Sequence, residues 1–220
     1  MKAAWSCGPR ARSTTTTTTG TRVTPTTDPL QEYRRKRDKR RTPEPAGGKR
    51  RRATRRRPRF VIQQHDATAM HWDFRLEAGG VLKSWAVPKG PSTDPREKRL
   101  AMPTEDHPLE YASFEGVIPE GEYGGGPVIV WDAGTYRNLT EKKGREVPVE
   151  EAVAAGHVKV FLEGRKLRGG YALTRTGRDP RPRWILVKTK DEHADARRNP
   201  VRTERRSVIS GATIEEMAKR

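Results

Sequence analysis

The chain has 220 residues, a formal charge of +18 and a hydrophobic content of 32%. No window approaches the roughly 18 consecutive apolar residues that a membrane-spanning helix needs, and the N-terminus lacks the apolar core of a secretory signal. The single cysteine, Cys7, excludes a disulfide framework and a cysteine-ligated metal site, so the expected location is cytoplasmic, close to nucleic acid.

The charge is unevenly spread. Residues 1–59 hold 19 Lys and Arg against 4 Asp and Glu, whereas residues 60–220 are nearly balanced, with 27 against 24. Met1–Thr27, with six consecutive threonines, reads as a disordered leader. Gly47–Arg59, GGKRRRATRRRPR, is a blocky polycation without apolar periodicity, the composition of an arm that neutralises nucleic-acid phosphates. Attachment to a membrane surface would require an apolar face beside those charges, and there is none. Residues 1–58 are therefore expected to form a disordered basic arm.

From Phe60 onward the chain fits one domain, taken as residues 59–192. Strand-like runs dominate: Arg59–Gln64, Met70–Glu77, a Gly79-Gly80 hairpin signal, then Val81–Val87. Pro127–Trp131 and Thr135–Leu139 read as two strands across Asp132-Ala133-Gly134. His157–Glu163, Gly170–Thr176 and Trp184–Lys190 follow in the same style. Val149–Ala155 reads as a short helix ended by Gly156. In the tail, residues 193–220, Thr213 and Glu216 have capping-box spacing for another helix. Many short strands and few helices predict a mainly β fold, an antiparallel barrel or sandwich. The segment Pro119–Pro127, PEGEYGGGP, lacks the marks of a phosphate loop and reads as a wide turn.

Val61–Glu77, VIQQHDATAMHWDFRLE, concentrates the chemistry. Only five histidines occur in the chain; His65 and His71 fall here and His107 follows in TEDHPLEY. On a strand, His71, Asp73 and Arg75 point one way and Trp72, Phe74 and Leu76 the other. Imidazoles with a carboxylate suit a divalent transition metal, and a guanidinium beside them suits a phosphate. Manganese, zinc and iron all fit mixed N/O ligands. The same alternation also fits the wet face of an antiparallel strand.

These residues, with LQEYRRKRD, TPEP, LKSWAVPKGPS, RLAMPTEDHPLEYASFEGVIPEGEYGGG and WILVKTKD, resemble the 3′-phosphoesterase domain of the bacterial ATP-dependent ligase D family, from Leu30 to Asp191. The resemblance implies a closed antiparallel β-barrel of about eight strands with a few short flanking helices. It implies manganese held by His65, Asp73 and His107, a scissile phosphate held by His71 and Arg75, and a tyrosine needed for activity at Tyr111. Arg37, Asp38 and Glu44 match an N-terminal functional cluster within residues 30–45, a segment of the arm expected to pack near the site, where the family's phenylalanine is Lys39 here. Gln63, Lys89, Arg99 and Glu105 match polar positions lining the site.

The implied reaction removes a 3′-terminal ribonucleoside and then the 3′-phosphate, leaving a 3′-OH. The implied partners are DNA 3′ ends, including primer–templates ending in a ribonucleotide or a 3′-phosphate, with a separately encoded ligase, polymerase and Ku-type end-binding protein. There is no ligase lysine motif, and SVISGATIEEMAK resembles the linker that follows this module in fused proteins, so a stand-alone or split module is expected. Two other classes remain in view: a non-catalytic nucleic-acid binder on a degenerate esterase barrel, and a hydrolase of small phosphoesters, against which the basic arm weighs.

Overall fold

In a computed structural model, residues 28–38, 40–48, 56–177 and 182–220 are described. The leader 1–27, Lys39 and the polycation from 49 to 55 lie outside them.

The strands are β1 (Arg59–Asp66), β2 (Met70–Ala78), β3 (Val81–Val87), β4 (Lys98–Pro103), β5 (Gly116–Ile118) and β6 (Gly126–Asn138). They continue with β7 (Glu141–Lys142), β8 (Arg145–Glu146), β9 (His157–Gly164), β10 (Arg168–Thr176) and β11 (Arg183–Lys188). Eight of them run in the order β1-β2-β3-β4-β11-β10-β9-β6, and β6 pairs back onto β1, so the antiparallel barrel closes. Closure removes the unpaired edges of the sheet. β5 adds to β6 outside this ring, and β7–β8 form a separate hairpin. The expected mainly β barrel is therefore present. Short helices flank it: α1 (Gln31–Arg35), α2 (Val149–Ala155), α3 (Pro200–Thr203) and α4 (Ile214–Met217).

Seven of the eight barrel strands send alternate apolar side chains into one core, among them Phe60, Ile62, Trp72, Phe74, Trp85, Trp131, Val160, Leu173 and Trp184, and β4 adds Ala101. A second core lies on the outer wall of β1, β3 and β6. There, Leu30 and Tyr33 of the N-terminal segment pack with Val61, Leu82, Leu109, Tyr111, Phe114 and Ile118. The 3₁₀ turn Leu109–Ser113 and α1 thus cover a patch of barrel wall. Burial of the apolar side chains of the segment, at roughly 1.5–3 kcal/mol for a fully buried large residue, offsets the entropy of ordering it.

One expectation is corrected. Asp132-Ala133-Gly134 does not turn the chain but lies inside a single 13-residue strand, β6. The register with β1 shifts here, from Ile62↔Asp132 to Gln63↔Val130, so an extra residue is accommodated as a bulge. The fully buried Asp132 carboxylate accepts main-chain N–H groups of Ala133, Arg165, Lys166 and Leu167, which holds the bend. The two helices read from sequence both form. Gly156 ends α2 at φ +92°, and Thr213 and Glu216 make a reciprocal capping box on α4. No helix among the described residues is long and apolar enough to cross a membrane.

Candidate metal and phosphate site

Antiparallel register assembles the site. In the β1–β2 pair His65 stands opposite His71, and Gln63 opposite Asp73. The tight Gly79-Gly80 hairpin sets β3 so that Ser84 stands opposite Arg75. Because Trp72, Phe74 and Leu76 fill the barrel interior, His71, Asp73 and Arg75 face outward, toward the covering segments.

His65, His71 and Asp73 offer ligand atoms that all lie within 4.8 Å of one another. His65 Nε2 is 2.8 Å from the Gly124 carbonyl, and His71 Nδ1 is 2.9 Å from the Ala69 carbonyl. A carbonyl only accepts, so each of those nitrogens carries the proton. The other nitrogen of each ring, His65 Nδ1 and His71 Nε2, faces Asp73 Oδ2 at 3.7 Å. That separation is too long for a hydrogen bond and suits two ligands flanking one ion. Backbone carbonyls that fix imidazole tautomers are the usual outer support of metal-ligating histidines. Three candidate ligand atoms lie this close together, so the donor set fits a divalent cation.

Without a metal, charge is balanced by neighbours. Burial opposes ionisation of Asp73, yet the Arg75 guanidinium and the two imidazoles hold its carboxyl well below the usual range. Burial likewise opposes protonation of His71, but Asp73 and the Ala69 carbonyl raise it above its ordinary value.

Arg75 is buried and braced on several sides. Nε donates to Gln63 Oε1 at 2.8 Å, Nη1 to Ser84 Oγ at 2.9 Å and Nη2 to Asp73 Oδ2 at 2.9 Å. Its guanidinium carbon lies 4.9 Å from the Tyr111 ring centroid. Gln63 is spent structurally, since its Nε2 donates to the carbonyls of Tyr111 and Phe114.

A second network adjoins this one, built largely by the N-terminal segment. Arg37 donates to Glu44 Oε1 (2.8 Å) and Glu105 Oε1 (2.9 Å), and its Nη2 lies 3.3 Å from His107 Nε2. The Tyr111 hydroxyl donates to Glu44 Oε1 at 2.9 Å, and Thr42 to Glu44 Oε2 at 2.8 Å. Lys36 reaches Glu105 Oε2 at 3.0 Å. Burial, then Arg75 and Arg37, push His107 well below the ordinary histidine value, so it is neutral. Its Nδ1–H goes to the Glu105 carbonyl at 2.8 Å, which leaves Nε2 to accept from Arg37. Burial, then the Glu44 carboxylate, push the Tyr111 phenol well above its ordinary value.

The structure thus arranges the histidines differently from the expected pairing of His107 with His65 and Asp73. His71 joins them in the ligand group, while the free lone pair of His107 is engaged by Arg37. His71 groups with His65 and Asp73, on the same face of β2 as Arg75. Asp38 is exposed and bonds the Arg40 main chain instead of reaching the site. Arg99 shares the inner face of β4 with core residue Ala101; it pairs with Glu97 and its Nε is buried without a partner. Lys89 is exposed in the turn after β3. Sequence reasoning missed Ser84, Tyr33, Lys36 and Thr42. Hairpin arithmetic around Gly79-Gly80 would have found Ser84; the others lie on the covering segment, inside the LQEYRRKRD and TPEP runs, where only the motif match pointed to them.

Fold and site together define a closed β-barrel bearing a His-His-Asp group and a braced arginine on its outer wall. The chain belongs to the DNA Ligase D 3′-phosphoesterase domain family, whose pattern matches residues 63–175. It is 50% identical over 171 residues to the multifunctional non-homologous end joining protein LigD of Pseudomonas aeruginosa, covering 77% of this chain and 20% of that protein. It is 48% identical over 168 residues to the LigD DNA repair protein of Mycobacterium tuberculosis (76% and 21%), and 42% identical over 169 residues to LigD of Mycolicibacterium smegmatis (76% and 21%). The chain spans about a fifth of the length of these relatives.

Proposed function

We propose that this protein is a manganese-dependent 3′-end-healing phosphoesterase acting on DNA and RNA ends. It would remove a 3′-terminal ribonucleoside as a phosphodiesterase, then the remaining 3′-phosphate as a phosphomonoesterase, leaving a 3′-OH. The observation that carries the reading is the pair of carbonyl-anchored imidazoles whose other ring nitrogens converge on Asp73, beside the buried Arg75. Family membership and the relatives' names support non-homologous end joining as the setting, with ligase, polymerase and Ku-type partners supplied elsewhere. Residues 59–192 form the catalytic barrel in this reading, residues 30–45 complete its site, and residues 193–220 are a tail with a short helix.

His65, His71 and Asp73 would hold the divalent ion. When bound, such an ion supplies Lewis-acid chemistry, drawing charge from a phosphoryl oxygen. Arg75 has three of its five N–H groups engaged, which leaves donors for a phosphate and fixes their direction in advance. Held neutral, His107 spends both ring nitrogens on the Glu105 carbonyl and Arg37 and adds no charge beside Arg75. The Tyr111 hydroxyl stays protonated and orients Glu44 and the face of Arg75; it is a positioning group, not a nucleophile. Arg37, Glu44 and Glu105 tie the N-terminal segment to His107.

The test is a primer–template with one 3′-terminal ribonucleotide, incubated with Mn²⁺, its 3′ ends resolved by gel. A 3′-phosphate followed by a 3′-OH is expected. Intact ends with every divalent ion tried would leave a nucleic-acid binder with a degenerate site.

A further inference from the structure

Among the described residues the large exposed hydrophobic side chains are Leu100, Met102, Val117, Tyr123 and Ile209, and Tyr123 is the only aromatic one, at 49% exposure. It is also the one tied to the site by its surroundings. Lys36 Nζ lies 3.2 Å from the Tyr123 hydroxyl and 4.5 Å from the ring centroid, and the Arg37 guanidinium carbon lies 5.6 Å from that centroid. The same Lys36 binds Glu105, and the same Arg37 abuts His107.

The main chain holds the ring equally close. The next residue, Gly124, supplies the carbonyl that fixes the His65 tautomer, and consecutive Cα atoms are only about 3.8 Å apart. The loop is stiff. Glu122 N–H bonds the Pro119 carbonyl, Gly125 N–H bonds the Glu122 carbonyl, and Arg41 pairs with the Glu122 carboxylate at 2.8 Å. A Cβ on Gly126 would fall 2.0 Å from the Asp66 carbonyl oxygen, so the loop returns to β1 at a distance only glycine permits. An aromatic ring is therefore held half open to solvent, backed by two cations and one residue from a candidate metal ligand's support.

We infer that Tyr123 is a stacking platform for an unpaired nucleobase flanking the phosphate at the 3′ end, the feature by which the site takes polynucleotide ends in preference to small phosphoesters. A base stacked on an aromatic side chain contributes about 1–3 kcal/mol, and nearby cations suit the adjoining phosphates. The inference rests on the end-processing reading, and it names which part of the substrate is gripped outside the phosphate.

Binding is read first, without catalysis: an oligonucleotide with 2-aminopurine at its 3′ terminus is titrated into metal-free protein and its fluorescence followed. Quenching is expected with the parent, Tyr123→Phe and Tyr123→Trp, and its loss with Tyr123→Ala. In the cleavage assay Tyr123→Ala should raise KM by about 5- to 150-fold, the equivalent of that stacking range, with kcat nearly unchanged. On an end whose last two nucleotides lack bases, parent and Tyr123→Ala should converge. Parent-like quenching and KM in Tyr123→Ala overturn the platform, as does a Tyr123→Phe variant as impaired as the alanine one, which would assign the effect to the hydroxyl–Lys36 bond. Quenching by a parent that cleaves nothing with any divalent ion would sink the esterase reading and keep the platform; cleavage without quenching would do the reverse.

Discussion

His71 and His107 should separate metal affinity from folding stability when each is truncated. The His71 side chain is 21% exposed, and its bonded partner is the nearby Ala69 carbonyl. His71→Ala should cost less than about 1 kcal/mol in folding, as for most partly exposed sites. It should weaken Mn²⁺ binding by well over 100-fold, since disturbing only a ligand's outer partner already costs about 10- to 100-fold. His107 is the opposite case, packed edge-on against Tyr33 and Tyr111 at 5.1 and 4.8 Å. His107→Ala removes those aromatic contacts, worth about 0.5–1.5 kcal/mol each, and strands an Arg37 donor and the Glu105 carbonyl, at about 1–3 kcal/mol for a buried unpaired group. These terms are not additive, and a net loss of about 3 kcal/mol is expected, or roughly 6–12 °C in Tm at 2–4 °C per kcal/mol. The main-chain bridge between His107 and Leu82 survives in the alanine variant, so the fold should persist. Mn²⁺ affinity should stay within a few-fold of the parent. Calorimetric Mn²⁺ titration and thermal melts on both variants decide the matter. Equal loss of metal by His107→Ala would refute the ligand group drawn from the geometry and restore the set read from sequence.

Glu44→Gln keeps shape but loses the charge on which Arg37, Thr42 and Tyr111 converge, so turnover should fall severely with Mn²⁺ affinity retained; parent-like turnover would show that the N-terminal segment is only a cover. His107 is depressed in the folded state, first by burial, against about 6.5 when unfolded. Unfolding therefore takes up a proton below that value, and the stability present above pH 6.5 is lost as pH falls. His107→Gln should flatten this part of the acid limb in urea melts between about pH 6.5 and 5, and an unaltered limb would place the protonation elsewhere. Neutralising the basic residues of Lys49–Arg57, of which Arg56 and Arg57 pair with Glu77 and Glu163, should weaken binding to duplex ends. It should also flatten log K against log[salt] by about 0.9 for each phosphate no longer neutralised; an unchanged slope would make the run a spacer.

The barrel was legible because each strand carries its own alternation and each hairpin its own turn residues. β4 was not, because its outer face is exposed and its inner face holds Arg99 beside Ala101, so no apolar period marks it. The bulge in β6 looked like a turn for a related reason: Asp, Ala and Gly are turn residues locally, and only the three distant N–H groups bonded by Asp132 reveal why the strand continues. The site divides along the same line. Strand parity put His71, Asp73 and Arg75 on one face, and that information is contained within seven residues. Which of His71 and His107 meets His65 depends instead on a register across β1–β2 and on where a covering segment docks. Arg37 lies 70 residues from His107, and its guanidinium is what occupies the lone pair that a ligand would need. A partner so distant leaves no mark on the spacing around HPLEY, so His107 and His71 look alike as candidate ligands until the segment carrying Arg37 is packed against the barrel wall.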